Sequence, residues 1–524
     1  MCPLHWRSRV HRVVLLLAVA WVLLPEQGFG QGAQDRYQLG RRLERFERAW
    51  QEASVASRAR STASMEQAVE SFFSLQLGRA GKSLDRAWLQ VTGVEESEQA
   101  ERLGSIRWKL DFEKTLLDVK DPVVVARASV FYDQVSASDQ AEKADNADNA
   151  DNADSKLEIA LSVWPWSDAR APVSGAPVSG APGSGEPLMR KRLVVGSDTP
   201  FELDFGGLSP GDYLLEVSMV GAAQGTSDWI CPSVSLVDRM EDRFGRMERW
   251  IEASRRESAE TSKSTAKFLA RELGRGRKGT SFEIDLPWNR LLSDFEQITA
   301  PKLADETSIP GGFTSWLHKP GWKWMQLSRG KSTQVVRMEV PEFDAEDPGL
   351  KLPVLIALHG AGGSENMFFQ TYGAGRLIEL GRQRGWIIVS PRQTMTGLGL
   401  DVGQMVEALS EILPVDQSRV MLVGHSMGAA QAMAQVSKHP GLVRSVAALG
   451  GGGVVRDSEA IRKVPFYVGA GDRDFGKSRA KSLSKELERI GCEVEYREYI
   501  DVEHMVIVQA ALDDVFAFFD KRLR

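Results

Sequence analysis

The sequence predicts an α/β protein: residues 311–524 form a doubly wound, mostly parallel sheet, preceded by a helical segment and a β-sandwich-like domain. Three observations predict it. From Val335 onward, short uninterrupted apolar runs alternate with amphipathic helical patterns, as expected of parallel strands buried on both faces with helices as their crossovers. Between about 105 and 236, apolar and polar residues alternate with a period of two, the mark of strands with one buried face. Before that, apolar residues recur at helical spacing.

A chain of 524 residues exceeds one ordinary domain, and 42% hydrophobic with 26% charged residues is the composition of a folded protein. A net charge of -6, with no basic cluster beyond the first dozen residues, excludes nucleic acid as the main partner. The first thirty residues have the order of a secretory leader. Arg7, Arg9 and Arg12 precede the apolar run Val13–Leu24, followed by Pro25 and small residues, with Gly28 and Gly30 at the -3 and -1 positions of a cleavage site. The expectation is therefore a signal peptide over 1–30 and a secreted or periplasmic protein with no membrane span after cleavage. The alternative, an uncleaved anchor, requires a longer apolar stretch. Cys2 leaves with the leader, so Cys231 and Cys492 remain, either paired or as lone thiols.

Residues 31–100 read as helical. Leu39, Leu43, Phe46 and Trp50 form one stripe, Val69, Phe72 and Phe73 begin another, and the two are expected to pack against each other. The β-rich region, 101–236, follows, with Ile106, Trp108, Leu110 and Phe112 alternating, then Leu157, Ile159, Leu161 and Val163. Its turn Leu208–Asp212, followed by Tyr213, is similar to the late strands of immunoglobulin-like or fibronectin-like sandwiches. Two low-complexity stretches, an Asp-Asn-Ala repeat over 144–154 and an Ala-Pro-Val-Ser-Gly repeat over 171–187, read as solvated loops. Residues 237–310 read as a charged helical connector. Within 311–524, strands are expected at Val354–Leu358, Trp386–Val389, Val420–Val423, Val446–Leu449 and Phe466–Val468, with helical faces at Val402–Leu413 and Val508–Phe519.

Parallel sheets present reactive groups at the carboxyl ends of their strands, and the chemistry falls there. Gly424-His425-Ser426-Met427-Gly428 follows an apolar strand and opens a small-residue helix. A serine nucleophile on a sharp strand-to-helix turn needs flanking glycines to let the two elements approach. Its hydroxyl is a weak nucleophile and requires a base, itself oriented by a carboxylate. Among the histidines beyond the leader, His504 sits between a strand and the last helix, where a loop can carry an imidazole over the sheet. Pro465–Val468 leads into Gly471-Asp472-Arg473-Asp474. Both aspartates are candidates for the acid; the count from the strand favours Asp474, with Asp472 capping the turn. His359-Gly360-Ala361-Gly362-Gly363 follows another strand, and its amides, with that of Met427, fit an oxyanion-binding site. The histidines are isolated and no Cys/His ligand spacing occurs, so neither a metal site nor a cofactor is expected.

His359–Gly363, the run Val415–Val420 leading into Gly424–Gly428, Asp474 and His504 together resemble the α/β-hydrolase superfamily, particularly secreted esterases related to polyhydroxybutyrate depolymerase and to feruloyl and acetylxylan esterases. The resemblance implies Ser426 as nucleophile, His504 as general base then acid, Asp474 as its partner, and Ala361, Gly362 and Met427 as oxyanion donors. It covers none of the first 310 residues. Fifteen residues, 450–464, separate two strands where members of the superfamily insert a helical cap. The expectation is an uncapped site, open to a bulky or polymeric ester. A peptidase similar to the prolyl oligopeptidase group is the alternative enzyme, although no propeller repeat precedes residue 310; a non-catalytic envelope binding protein on the same fold is the alternative outside catalysis. The oligomeric state is left open.

Overall fold

A computed structural model describes residues 29–133, 156–166, 186–220, 229–254, 260–281, 285–300, 312–394 and 399–523. The leader and the two low-complexity repeats fall almost entirely outside them.

The C-terminal half is built on an eight-stranded sheet. In chain order its strands are β9 (Gly321–Arg329), β10 (Ser332–Val340), β11 (Leu352–Leu358), β12 (Ile387–Pro391), β13 (Val415–His425), β14 (Val443–Leu449), β15 (Phe466–Gly471) and β16 (Val494–Tyr499). Across the sheet the order is β16-β15-β14-β13-β11-β12-β10-β9. β9 and β10 form an antiparallel hairpin that pairs antiparallel to β12, and all other neighbours are parallel. The apolar runs are continuous because both faces are buried. Val354, Ile356 and Leu358 of β11, with Val420 and Leu422 of β13, join one core cluster; Leu355 and Ala357, with Met421 and Val423, join the other.

Each face has its own helices. On the first lie α5 (Met240–Ala253), α6 (Thr261–Arg277), α7 (Trp288–Thr299), α9 (Val402–Ser410), α10 (Met427–Lys438) and α11 (Lys477–Arg489). On the second lie α8 (Arg376–Gln383) and α12 (Ile507–Leu523), together with the four helices that begin the described chain: α1 (Phe29–Glu52), α2 (Val55–Phe73), α3 (Leu77–Val91) and α4 (Glu96–Ile106). Both assignments differ from the sequence reading. The stretch 237–310, expected as a connector, buries Phe268, Leu269, Leu273, Trp288, Leu291 and Phe295 in the sheet's own core. The stripes of the first hundred residues do not only meet each other. Leu39, Leu43 and Phe46 share a cluster with Phe368, Tyr372 and Phe516 of the C-terminal half.

The β-rich region forms two smaller sheets, from β1 (Trp108–Phe112), β2 (Leu116–Asp118), β3 (Val123–Val130), β4 (Lys156–Pro165), β5 (Met189–Gly196), β6 (Pro200–Asp204), β7 (Gly211–Met219) and β8 (Val234–Val237). Their orders are β1-β3-β6 and β2-β8-β7-β4-β5. Leu110, Val124 and Leu203 of the first and Leu161, Val217 and Leu236 of the second meet in one cluster. The Tyr213 hydroxyl donates back to the Ser209 carbonyl at 2.5 Å, closing the turn that precedes β7. Asp212 caps α7, accepting from the Asn289 and Arg290 amides at 2.8 and 3.0 Å. That carboxylate welds the β region to the helices beneath the large sheet, satisfying two of the orphan donors at a helix start.

The amino-terminal helices are pinned by charge. Asp85 of α3 is fully buried and accepts from Arg42 Nε at 3.1 Å, Arg45 Nη2 at 2.5 Å and the Tyr132 hydroxyl at 2.8 Å. Removing one partner of such a cluster leaves uncompensated charge in a low-dielectric interior. Asp85→Ala is therefore expected to lose about 3–5 kcal/mol of stability, read as a lower urea midpoint in tryptophan fluorescence, whereas an exposed charge such as Glu98 is expected to be silent on substitution.

Candidate active site

β13 runs into the sheet's centre and stops at His425. Ser426 then adopts φ 55° and ψ -113°, and α10 begins at Met427. A non-glycine residue at positive φ is strained by the order of 1–3 kcal/mol and persists only where its surroundings leave no alternative. Here they leave none. A methyl group on Gly424 would sit 2.2 Å from the Gly428 carbonyl oxygen, and one on Gly428 would sit 2.0 Å from that of Leu358. The Ser426 amide is held by the Leu449 carbonyl of the neighbouring strand at 2.8 Å. The glycines let β11, β13 and α10 close on one another, and that closure thrusts the serine side chain outward.

Two loops bring the remaining groups to it. His504 lies between β16 and α12, with Nε2 2.9 Å from Ser426 Oγ and Nδ1 2.7 Å from Asp474 Oδ1. The carboxylate only accepts, so Nδ1 carries the proton and Nε2 is left to accept from the serine hydroxyl. Asp474 follows β15 and is buried. Burial opposes its ionisation, but His504 beside it and the Gly476 amide, 2.6 Å from Oδ1, hold the carboxyl below its usual range. Asp472, the alternative acid, makes no contact with His504: its amide bonds the Tyr499 carbonyl at 2.8 Å. The structure thus brings Ser426, His504 and Asp474 into one hydrogen-bonded row and leaves Asp472 outside it.

Ala361 and Gly362 line the cleft beside Ser426. Gly362 has φ 79°, turning the loop after β11, and Met427 is the first residue of α10, whose amide has no acceptor within the helix. The loop is braced from behind: Glu365, buried, accepts from Arg392 Nε at 2.9 Å and from Trp324 Nε1 at 2.9 Å. His359 is also buried, 2.8 Å from the Gly360 carbonyl, and burial pushes its pKa down.

One relay was not evident in the sequence. The Gly360 amide donates to the Tyr372 hydroxyl (3.3 Å), which lies 2.8 Å from His425 Nδ1, and His425 Nε2 lies 2.8 Å from the His504 carbonyl. Burial, reinforced by neighbouring His504, pushes His425 down to about 3. It is neutral, with one nitrogen accepting from Tyr372 and the other donating to His504. The oxyanion loop, the serine turn and the imidazole loop are thereby strung on a single line of hydrogen bonds. His425 was visible as part of the pentapeptide; no local pattern singles out Tyr372.

The cleft itself departs from the open site expected. The connection 450–464 carries no cap, but the chain's own beginning covers the serine. Leu39, Leu43, Met65, Ala68, Val69, Phe72, Phe73, Ala80 and Leu84 of α1–α3 form its wall opposite Gly360–Gly363, Ser426 and His504. A methyl group on Gly362 would come within 3.0 Å of the Phe72 ring. The short 450–464 connection excludes only a cap inserted there and says nothing of one supplied from 300 residues away. Cys231 and Cys492 are separate buried thiols, facing the Leu215 and Ile461 carbonyls. Among the described residues no helix is long and apolar enough to cross a membrane, and no group of three or more His, Cys, Asp or Glu side chains could hold a metal ion.

Residues 354–516 match the model of the alpha/beta hydrolase family, and the C-terminal half is an α/β-hydrolase domain. Among solved structures it is similar to a thermostable esterase, at 18% identity and TM-score 0.34 over 38% of this chain and 63% of that one. It is likewise similar to an S-formylglutathione hydrolase from Agrobacterium tumefaciens, at 18% identity and TM-score 0.30 over 38% and 96% of the two chains. A ferulic acid esterase matches at 17% identity and TM-score 0.34 over 39% and 99%. Comparison with curated protein sequences gives no match.

Glu503, next to the imidazole, is buried and accepts from the Met505 and Val506 amides, at 2.9 and 2.8 Å. Burial drives its pKa up to about 7 from 4.5, although those amides and His504 pull it back. The unfolded chain therefore gives up this proton first, and stability is lost as pH rises from about 4.5 to about 7. Glu503→Gln is expected to raise the melting temperature at pH 8 and to converge with the native protein below pH 4.5, as followed by calorimetry across that range.

Proposed function

We propose that the protein is a serine hydrolase that cleaves carboxylic esters through an acyl-enzyme. The observation that carries this reading is the uninterrupted row Ser426 Oγ, His504 and Asp474 at 2.9 and 2.7 Å, set on a strained turn that presents the hydroxyl to the cleft.

In this reading His504 Nε2 takes the serine proton as Oγ attacks the ester carbonyl, and Asp474 accepts from Nδ1–H and stabilises the imidazolium that forms. The carbonyl oxygen gains charge facing the amides of Met427 and of Ala361 or Gly362, whose dipoles are already oriented; losing one such donor costs about 2.7–4 kcal/mol of transition-state stabilisation. The tetrahedral adduct collapses as His504 hands its proton to the departing alcohol. Water then attacks the acyl-serine with His504 again as base, which regenerates the hydroxyl and releases the acid. The lowered pKa of Asp474 serves this cycle: the carboxyl stays charged and acceptor-only through neutral pH. The leader pattern of residues 1–30 supports export, so the reaction would take place outside the cytoplasm.

Ser426→Ala is expected to lower kcat on nitrophenyl esters by roughly 10⁴-fold or more, and to abolish labelling by a fluorophosphonate. Asp474→Asn is expected to lower kcat by roughly 10⁴-fold, because it permits the wrong imidazole tautomer, while Asp472→Asn remains close to the native rate. Activity should fall toward acid, since a base must be unprotonated to accept a proton. An Asp472 variant as damaged as the Asp474 variant would dismantle the assignment.

A further inference from the structure

The cleft beside Ser426 has a polarity that the catalytic row does not require. One side is the machinery: Gly360–Gly363, Ser426, His425 and His504. The wall from the first helices is mostly apolar, contributed by Leu39 and Leu43 of α1, Met65, Ala68, Val69, Phe72 and Phe73 of α2, and Ala80 and Leu84 of α3, with Arg36 of α1 as its charged member. We propose that α1–α3 form an acyl-binding wall, and that the substrate is an ester whose acyl group is a hydrocarbon chain longer than acetyl. The proposal rests on the ester-hydrolase reading and names its substrate class.

Burial gives the wall a direction. Leu39, Leu43, Ala80 and Leu84 are buried, whereas Phe73 and Met505 beside the imidazole, Phe72 over Gly362, and Arg36 and Gly40 of α1 are half-buried. Beyond them Phe475 lies on the His504 ring, centroids 3.9 Å apart, and is itself 56% exposed. The closed end of the cleft therefore lies toward Leu39 and Leu43 of α1 and Ala80 and Leu84 of α3, and the mouth toward His504. The leaving alcohol must stand at the imidazole to receive its proton, which places it at the mouth, facing solvent. The acyl group, on the other side of the carbonyl, points to the closed end. A hydrocarbon chain suits that end because Leu39, Leu43, Ala80 and Leu84 offer carbon, although Arg36 of α1 and Thr371 also reach the lining. A sugar or peptide there would leave polar groups unsatisfied.

The wall is also built to stay. Besides the Asp85 cluster, Glu47 of α1 accepts from the Gly373 amide beside the oxyanion loop, and Thr62 of α2 donates to the Asp501 carbonyl at 2.8 Å, just before the His504 loop. Glu66 meets Arg473, between the two aspartates, at 3.3 Å. Each bond ties a helix of the wall to a loop of the catalytic row.

The test uses the full chain and two panels: nitrophenyl esters from acetyl to dodecanoyl, and acetate esters of alcohols from ethanol to dodecanol. Each methylene seated in the cleft should raise kcat/KM roughly three- to four-fold until the cleft is full. The octanoyl-to-acetyl ratio should then be at least about 100, with little dependence on alcohol length. Ala80→Leu, which fills the closed end, should cut that ratio at least ten-fold and shorten the preferred chain. Leu84→Ala, which enlarges it, should move the optimum to longer chains; circular dichroism establishes that each variant is folded. A flat acyl panel, a length dependence confined to the alcohol, or variants that leave the ratio unmoved would each overturn the proposal while ester hydrolysis stands. If no ester in either panel is cleaved and Ser426 takes no fluorophosphonate, the ester-hydrolase reading fails and the acyl wall falls with it.

Discussion

The placement of the serine depends on one close approach, that of α10 to the end of β11. With hydrogens at positions 424 and 428, the Gly428 backbone can lie against the Leu358 carbonyl. Because that approach is made, the chain must reverse within a single residue, and Ser426 takes a conformation it would otherwise avoid. The energy that holds it there is the packing of β11, β13 and β14, whose alternate residues are buried on both faces. Strain at the nucleophile is thus underwritten by the largest apolar core in the molecule.

The neutral imidazole of His425 is the second constraint. A charged side chain there would be unsatisfied, and burial removes that option. As a neutral ring it has one donor and one acceptor, and both are used across loops with no other covalent connection nearby: Tyr372 on one side and the His504 backbone on the other. Because Tyr372 also receives the Gly360 amide, a displacement of the oxyanion loop is felt at the imidazole loop through three hydrogen bonds. Buried polar chains of this kind are costly when broken and specific when complete. Their function here is registration of three loops that follow β11, β13 and β16 at the same, carboxyl end of the sheet.

What the sequence disclosed follows the same physics. The strands of the large sheet could be read because burial on both faces writes an unbroken apolar run, and the glycine-flanked serine because strained turns tolerate few residue types. His504 could be reached by elimination among few histidines, and Asp474 by counting from a strand end. The helices of the first hundred residues could not be placed in this way. An apolar stripe such as Leu39, Leu43, Phe46 and Trp50 is written identically whether it packs on another helix or also lines a cleft. The stretch 237–310 was hidden for a related reason. Its outward charges, among them Glu241, Arg246 and Arg271, are interleaved with the residues that it buries, so it reads as a solvated connector although Trp288, Leu291 and Phe295 are core. Tyr372 has no signature at all, since its partners are 12 and 53 residues distant.

A wall made from the start of the chain solves a problem that an inserted cap does not. A cap grows from the rim of the sheet and can vary without disturbing the core. Here Phe46, Leu84, Trp88 and Leu89 are buried in the same cluster as Leu355, Ile388, Met421 and Phe516, so the helices that line the cleft also complete one face of the sheet. Changes in the cleft's shape are therefore coupled to the stability of the domain, and the residues facing the serine are free to vary only as far as that cluster allows. The buried Arg42–Asp85–Arg45 group has the same consequence. A cluster of charges taken from water is weak as a source of stability but strong as a source of register, because no shifted packing of α1 on α3 satisfies it. Register is what a cleft needs if it is to distinguish one chain length from the next, since a slip of one helical residue, about 1.5 Å, exceeds the roughly 1.3 Å that a methylene adds to an extended chain.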